Sequence, residues 1–138
     1  MFSLATKVMR KYALILFLWF QYLIPMAQDQ AIKDIAESLR KSSPELLLKY
    51  CKDPLNLKMD NKPQSLTKKE ATLVLQGFFQ KEPSSNFNYI HQGSSVDGMK
   101  YCIGKYITEE TSYRVLLLMK VNTDGMLLIE NIGFTKEL

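Results

Sequence analysis

The chain is short of almost everything that marks a particular chemistry. Of its 138 residues two are cysteine, one is histidine and one is tryptophan. Cys51, Cys102 and His91 stand far apart, so the C-x-x-C and H-x-x-x-H pairs on which zinc sites are built are missing and no metal site is expected. No glycine-rich phosphate loop occurs, and no serine or cysteine sits in a motif with a histidine partner, so no cofactor is expected either. Glu109 and Glu110 are the one paired carboxylate that stands out, and between Thr108 and Thr111 they read as a hairpin tip.

A strong charge of one sign is missing too. There are 18 basic and 14 acidic residues, but Lys7, Arg10 and Lys11 all precede the most apolar stretch, which has no acidic neighbour on its amino-terminal side. Residues 28–138 hold the remaining 15 basic and 14 acidic residues, a net charge of +1. Within them basic residues double up only at Arg40-Lys41 and Lys68-Lys69, which read as solvated helix surface. A nucleic-acid binder concentrates such residues on one face, so no nucleic-acid partner is expected.

What is present begins with "KYALILFLWFQYLIPMAQDQ", residues 11–30. Basic residues, an apolar run from Tyr12 and a small residue at Ala27 follow the order of a secretory signal peptide. A membrane-spanning helix needs roughly 20 apolar residues; the run from Tyr12 to Ala27 is shorter and carries Pro25 near its end. The expectation is a leader over residues 1–27, cleavage after Ala27, and an exported protein, periplasmic or secreted, with no membrane span after leader removal. No cysteine follows the run, so a lipid-modified terminus is not expected. A retained amino-terminal membrane helix, lengthened by Val8 and Met9, is the alternative.

Residues 28–138 are enough for one domain that hides roughly two-thirds of its unfolded surface. In an oxidising compartment Cys51 and Cys102 could bridge, closing a loop near 50 residues worth about 4 kcal/mol in the chain-entropy model. Equally, they are two small buried hydrophobes.

The apolar period changes once along these residues. Ile32, Ile35, Ala36 and Leu39 fall on one face of a helix. Ser43 and Pro44 start a second, shorter one with Leu46, Leu47 and Tyr50 as its buried face. Leu55, Leu57 and Met59 alternate as a short strand, and residues 60–63 read as a turn. Thr67 and Glu70 have capping-box spacing ahead of a third helix striped by Ala71, Val74, Leu75, Phe78 and Phe79, with Gly77 either a close-packing position or a weak end. Four strands then follow: Phe87, Tyr89 and His91 alternating on one face, "MKYCIGKYI", "SYRVLLLMKV" and "MLLIENIGF", joined by short turns. The run from Val115 to Val121 is apolar on both faces, so its middle should be covered on both. This order is α+β: helices packed on a curved antiparallel sheet, with a cone-shaped apolar space between them.

That element order resembles the nuclear transport factor 2-like, or cystatin-like, fold. "FFQKEPSSNFNYIHQGSSVDGMKYCIGKY", "YRVLLLMK" and the closing hairpin resemble the bacterial exported family called domain of unknown function 4783. The likeness spans essentially all of residues 28–138 and rests on structural features: the Phe78-Phe79 pair, the Gly93-Ser94-Ser95 turn, Gly104 and Arg114. It implies the cone fold and export, and no reaction. Cys51 and Cys102 are outside the matched features.

Candidate residues follow. Tyr50, Phe78, Phe79, Tyr101 and Tyr113 are expected to line the space and hold a small apolar ligand or a protein partner. Lys105 and Arg114 fall side by side across a tight hairpin and could receive an anion, given that register. The competing class is an isomerase, dehydratase or hydrolase using Asp53 or His91 as its titrating group. A third is an accessory protein with a filled core, a homodimer through the sheet face being one form of it.

Overall fold

The computed structural model describes residues 2–138. Helix α1 (Phe2–Arg40) and the short α2 (Pro44–Leu48) lead into strands β1 (Cys51–Met59) and β2 (Lys62–Leu66), then helix α3 (Lys68–Lys81). Strands β3 (Asn86–Ser94), β4 (Lys100–Ile107), β5 (Ser112–Val121) and β6 (Leu127–Lys136) complete the chain. The six strands form one sheet in the order β2-β1-β6-β5-β4-β3.

The first helix runs without a break through the expected cleavage point, yet its two ends are differently placed. From Thr6 to Trp19 every side chain is exposed, Trp19 and Leu16 by 71% each, and among the described side chains the first that is buried is Ala31. Beyond it Ile35, Ala36, Ser38 and Leu39 are buried, as the stripe predicts. Three side-chain bonds fasten this half to the sheet. Arg40 Nε donates to the Phe87 carbonyl at 2.9 Å, Tyr89 Oη to the Ile32 carbonyl at 2.6 Å, and Lys100 Nζ to Gln28 Oε1 at 2.6 Å. Among the described residues no helix is long and apolar enough to cross a membrane.

Local chemistry sets the other two helices. Ser43 Oγ accepts from the Leu46 amide at 3.4 Å with Pro44 in the first turn, and Thr67 Oγ1 accepts from the Glu70 amide at 3.2 Å. In α2 the buried residues are Pro44, Leu47 and Leu48, whereas Leu46, expected inside, is 36% exposed; five residues make too little helix for a full stripe. In α3 the buried residues are Ala71, Leu75 and Phe79, one turn apart, which leaves Val74 on the exposed rim.

The four carboxy-terminal strands form the expected antiparallel meander, Lys105 opposite Arg114 and Tyr106 opposite Tyr113 included. Two features lie outside the expectation. Lys62 and Pro63, read as turn, open strand β2: the reversal takes only Asp60 and Asn61, whose φ angles are 47° and 67°. Proline is admissible there because β2 is the edge of the sheet. In addition, β1 lies parallel on β6, so the sheet is mixed and places its earliest strand beside its last.

Two single-residue bulges curve the sheet. Ile90 is the extra residue between the Tyr89–Gly104 and His91–Ile103 pairs, and Glu130 is the extra residue opposite Leu118 and Met119. A bulge bends its strand and moves every later side chain to the other face. Phe87 and Tyr89 therefore face the helices, but His91, expected beside them, faces outward with Ile103. In β6 the inward set changes from Leu127 and Ile129 to Ile132 and Phe134.

Two glycines separate the roles that packing assigns them. At Gly77 an added Cβ meets nothing within 4 Å, so this glycine is a weak point of α3 and not a packing position. At Gly104 an added Cβ would run into the Phe87 ring from the neighbouring strand. Gly77→Ala is therefore expected to raise unfolding stability by about 0.5–1 kcal/mol, and Gly104→Ala to lower it by about 1–3 kcal/mol, both read by denaturant melts. Equal effects at the two positions would contradict the packing.

Candidate functional site

Three of the five residues expected to line the space between α3 and the sheet do meet there, and they fill it. The Phe78 ring lies 5.1 Å from Tyr113, 5.8 Å from Tyr106 and 4.9 Å from Phe134 between centroids. Phe79 stacks on Tyr106 at 5.9 Å. Tyr106 and Phe134 are wholly buried and absent from the sequence-derived set; their signal was their alternation with Gly104 and Ile132 on the inward face. Edge-on and tilted contacts at these distances are those of a packed aromatic core.

The polar end of this cluster is closed as well. Tyr106 Oη donates to the Glu82 carbonyl at 2.6 Å and lies 3.0 Å from Ser42 Oγ, which accepts from the Ser84 amide at 2.9 Å. With its own proton given to Glu82, the Tyr106 oxygen accepts from the Ser42 hydroxyl, so the chain runs amide to hydroxyl to phenol to carbonyl. Burial, and then the Glu82 charge, push the Tyr113 phenol above its ordinary range.

The other expected residues lie elsewhere. Tyr50 is half-buried at the end of α2, where its hydroxyl donates to Asp34 Oδ2 at 2.6 Å. That bond, joined by one from Gln30, holds the Asp34 carboxyl below its usual range and raises the Tyr50 phenol. Tyr101 is on the outer face, over Gly93 and 3.1 Å from His91 Nε2. Asp53 and His91, the candidate bases, are both exposed, Asp53 where β1 shifts register against β6 and His91 on the outer face. Neither reaches the space under α3, and the carboxylate that acts on it is that of Glu82, beside Tyr113. Among the described residues no group of three or more histidine, cysteine or acidic side chains could hold a metal ion.

Cys51 and Cys102 are free thiols, each buried on the inward face. Strands β6 and β5 lie between theirs, so about 14 Å of sheet separates them at the usual strand spacing. A bridge needs Cα atoms within about 7 Å, so of the two readings the structure has the pair of buried thiols and not the disulfide. Burial pushes Cys51 up to about 12 and Cys102 up to about 11, leaving neither a thiolate near neutral pH.

The outer face has a different character. Strand register sets Ile103, Leu116, Gly133 and Lys58 in one row across four strands, with Tyr101, Leu118 and Asn131 in the next. Leu116 is 41% exposed, so the outward side of the central strand, expected to be covered, has no cover within this chain. Lys105 and Arg114 stand side by side at one end, and Lys105 Nζ already lies 4.0 Å from Glu137 Oε2. The chain itself thus supplies a carboxylate to Lys105, in an exposed contact of small energetic weight.

Helices roofing a curved, unclosed sheet with an aromatic interior define the nuclear transport factor 2-like architecture. A protein of that fold and unknown function from Silicibacter pomeroyi superposes with a TM-score of 0.60 at 5% identity, covering 81% of this chain and 94% of its own. A domain of unknown function with a cystatin-like fold from Nostoc punctiforme superposes with a TM-score of 0.60 at 10% identity, covering 79% of this chain and 74% of its own. Residues 32–135 match the family domain of unknown function 4783, and the chain belongs to that family. A member from Bacteroides ovatus is 30% identical, with a TM-score of 0.71 over 76% of this chain and 94% of its own. No curated protein matches the chain.

The thiols give the test of this interior. The native protein is expected to react with no equivalent of a thiol reagent at neutral pH over the time in which the denatured chain, without reductant, reacts with two. A denatured chain that offers none would establish a bridge and contradict the strand order.

Proposed function

We propose that the chain is exported, loses residues 1–27 after Ala27, and acts as a non-catalytic binding or scaffolding module that meets a protein partner on the outer face of its sheet. The observation that carries this reading is the contrast between the two faces. Inside, Phe78, Phe79, Tyr106, Tyr113 and Phe134 occupy the space between α3 and the sheet. Outside, Tyr101, Ile103, Leu116 and Leu118 form an apolar strip between Lys105 with Arg114 at one end and Lys120 at the other. Apolar surface rimmed by charge favours a macromolecular partner, and none of the strip's four side chains lines a described cavity. A second copy of the chain is the first partner to test.

The leader reading draws on the first helix. Large apolar side chains from Tyr12 to Trp19 are exposed, while the three bonds that fasten the helix to the sheet lie from Gln28 onward. An apolar helix left in water is costly, whereas a leader is held by the export machinery and then removed.

Native mass spectrometry of the exported protein, with and without Leu116→Glu, separates the readings. The expected result is a protein-bound species, homodimeric or heteromeric, that Leu116→Glu abolishes at unchanged melting temperature. A small apolar molecule retained by both proteins would overturn the outer-face reading.

A further inference from the structure

We propose that Gln28, once it becomes the first residue, closes on itself to a pyroglutamyl ring with Lys100 assisting the reaction. This inference rests on the cleavage after Ala27 argued above. In the folded chain Lys100 Nζ donates to Gln28 Oε1 at 2.6 Å, both side chains being half-buried. Oε1 is the atom that gains negative charge when a nucleophile adds to the side-chain carbon Cδ. An ammonium already bonded to it stabilises that oxyanion with no rearrangement at the moment of reaction.

The nucleophile is the α-amine that cleavage liberates on the same residue, so the attack is intramolecular and closes a five-membered ring. The nitrogen lone pair forms the N–Cδ bond while the carbonyl pair moves onto Oε1. Collapse of that oxyanion expels Nε2, which leaves as ammonia with one proton from the attacking nitrogen. The product is a neutral lactam that keeps Oε1 as its carbonyl oxygen on Lys100. Nothing is oxidised or reduced, and no co-reactant is consumed.

The amine must be uncharged to attack, and two features favour that form. It sits at the start of the remaining helical segment 28–40, where the helix dipole disfavours a cation, and it is attached to the residue that Lys100 already contacts. Asp29, exposed beside it, acts in the opposite sense. Ring closure removes the cation that the helix end and Lys100 repel.

The test is intact-mass analysis of the full chain after secretion, followed over time in the purified protein at neutral pH, for the parent and Lys100→Met. The expected parent begins at residue 28 and becomes lighter by one ammonia, and Lys100→Met does so about tenfold more slowly, the kinetic worth of one charge-assisted hydrogen bond. A mature chain that begins at Gln28 and keeps its ammonia overturns the inference and leaves the leader reading intact. Equal rates in the two proteins overturn the role of Lys100. A chain that retains Met1, or begins at another residue, overturns the leader reading and the inference with it.

Discussion

Phe78 stands where α3 meets the middle of the sheet, and the rings of Tyr106, Tyr113 and Phe134 converge on it from three different strands. This contact sets the distance between the helix layer and the sheet. Phe79, one residue on, stacks on Tyr106 and commits a second edge of α3 to the same strands. Aromatic pairs contribute about 0.5–1.5 kcal/mol each beyond the area they bury, so a cluster of this size holds one helix orientation against its neighbours. The depth that could have been a binding chamber is taken up by the rings themselves.

A hydrogen-bonded thread secures the end of that cluster. Ser42, with a φ of 51°, follows α1; Ser84 and Glu82 follow α3; Tyr106 belongs to β4. A single phenol thus joins three segments distant in sequence. Unlike a catalytic tyrosine, it has its proton given away and its acceptor filled, and burial raises it above the ordinary phenol range. The thread satisfies the phenol and the Ser42 hydroxyl, and leaves the buried Ser84 Oγ without a partner among the described residues.

How much of this was legible follows from what period and capping can express. The stripe of Ile35, Ala36 and Leu39, the caps at Ser43 and Thr67, and the Lys105–Arg114 pairing all depend on neighbours in sequence or across one hairpin, and each was readable. The bulge at Ile90 was not, because Asn88, Ile90 and Gln92 alternate with aromatic residues just as an unbroken strand would. One inserted residue was enough to carry His91 from the face of Phe87 and Tyr89 to the outer face. Strand β2 has no apolar alternation to betray it, since its first four residues are exposed at an edge. The parallel contact of β1 with β6 joins residues that no local pattern connects, and the distance between Cys51 and Cys102 depends on that strand order. Tyr106 and Phe134 were within reach of the sequence, since they alternate with Gly104 and Ile132 on the inward face.

Everything described above depends on an interior that rings already fill. It is tested most directly by asking whether the folded protein takes up a small aromatic probe such as benzene, read as a rise in melting temperature at saturating probe. The intact protein is expected to show no rise. Phe134→Ala, which removes a wholly buried ring, is expected to lose about 3–5 kcal/mol and to regain part of it when the probe occupies the space left behind. A rise of similar size in the intact protein would mean that the chamber is open, and would contradict the account.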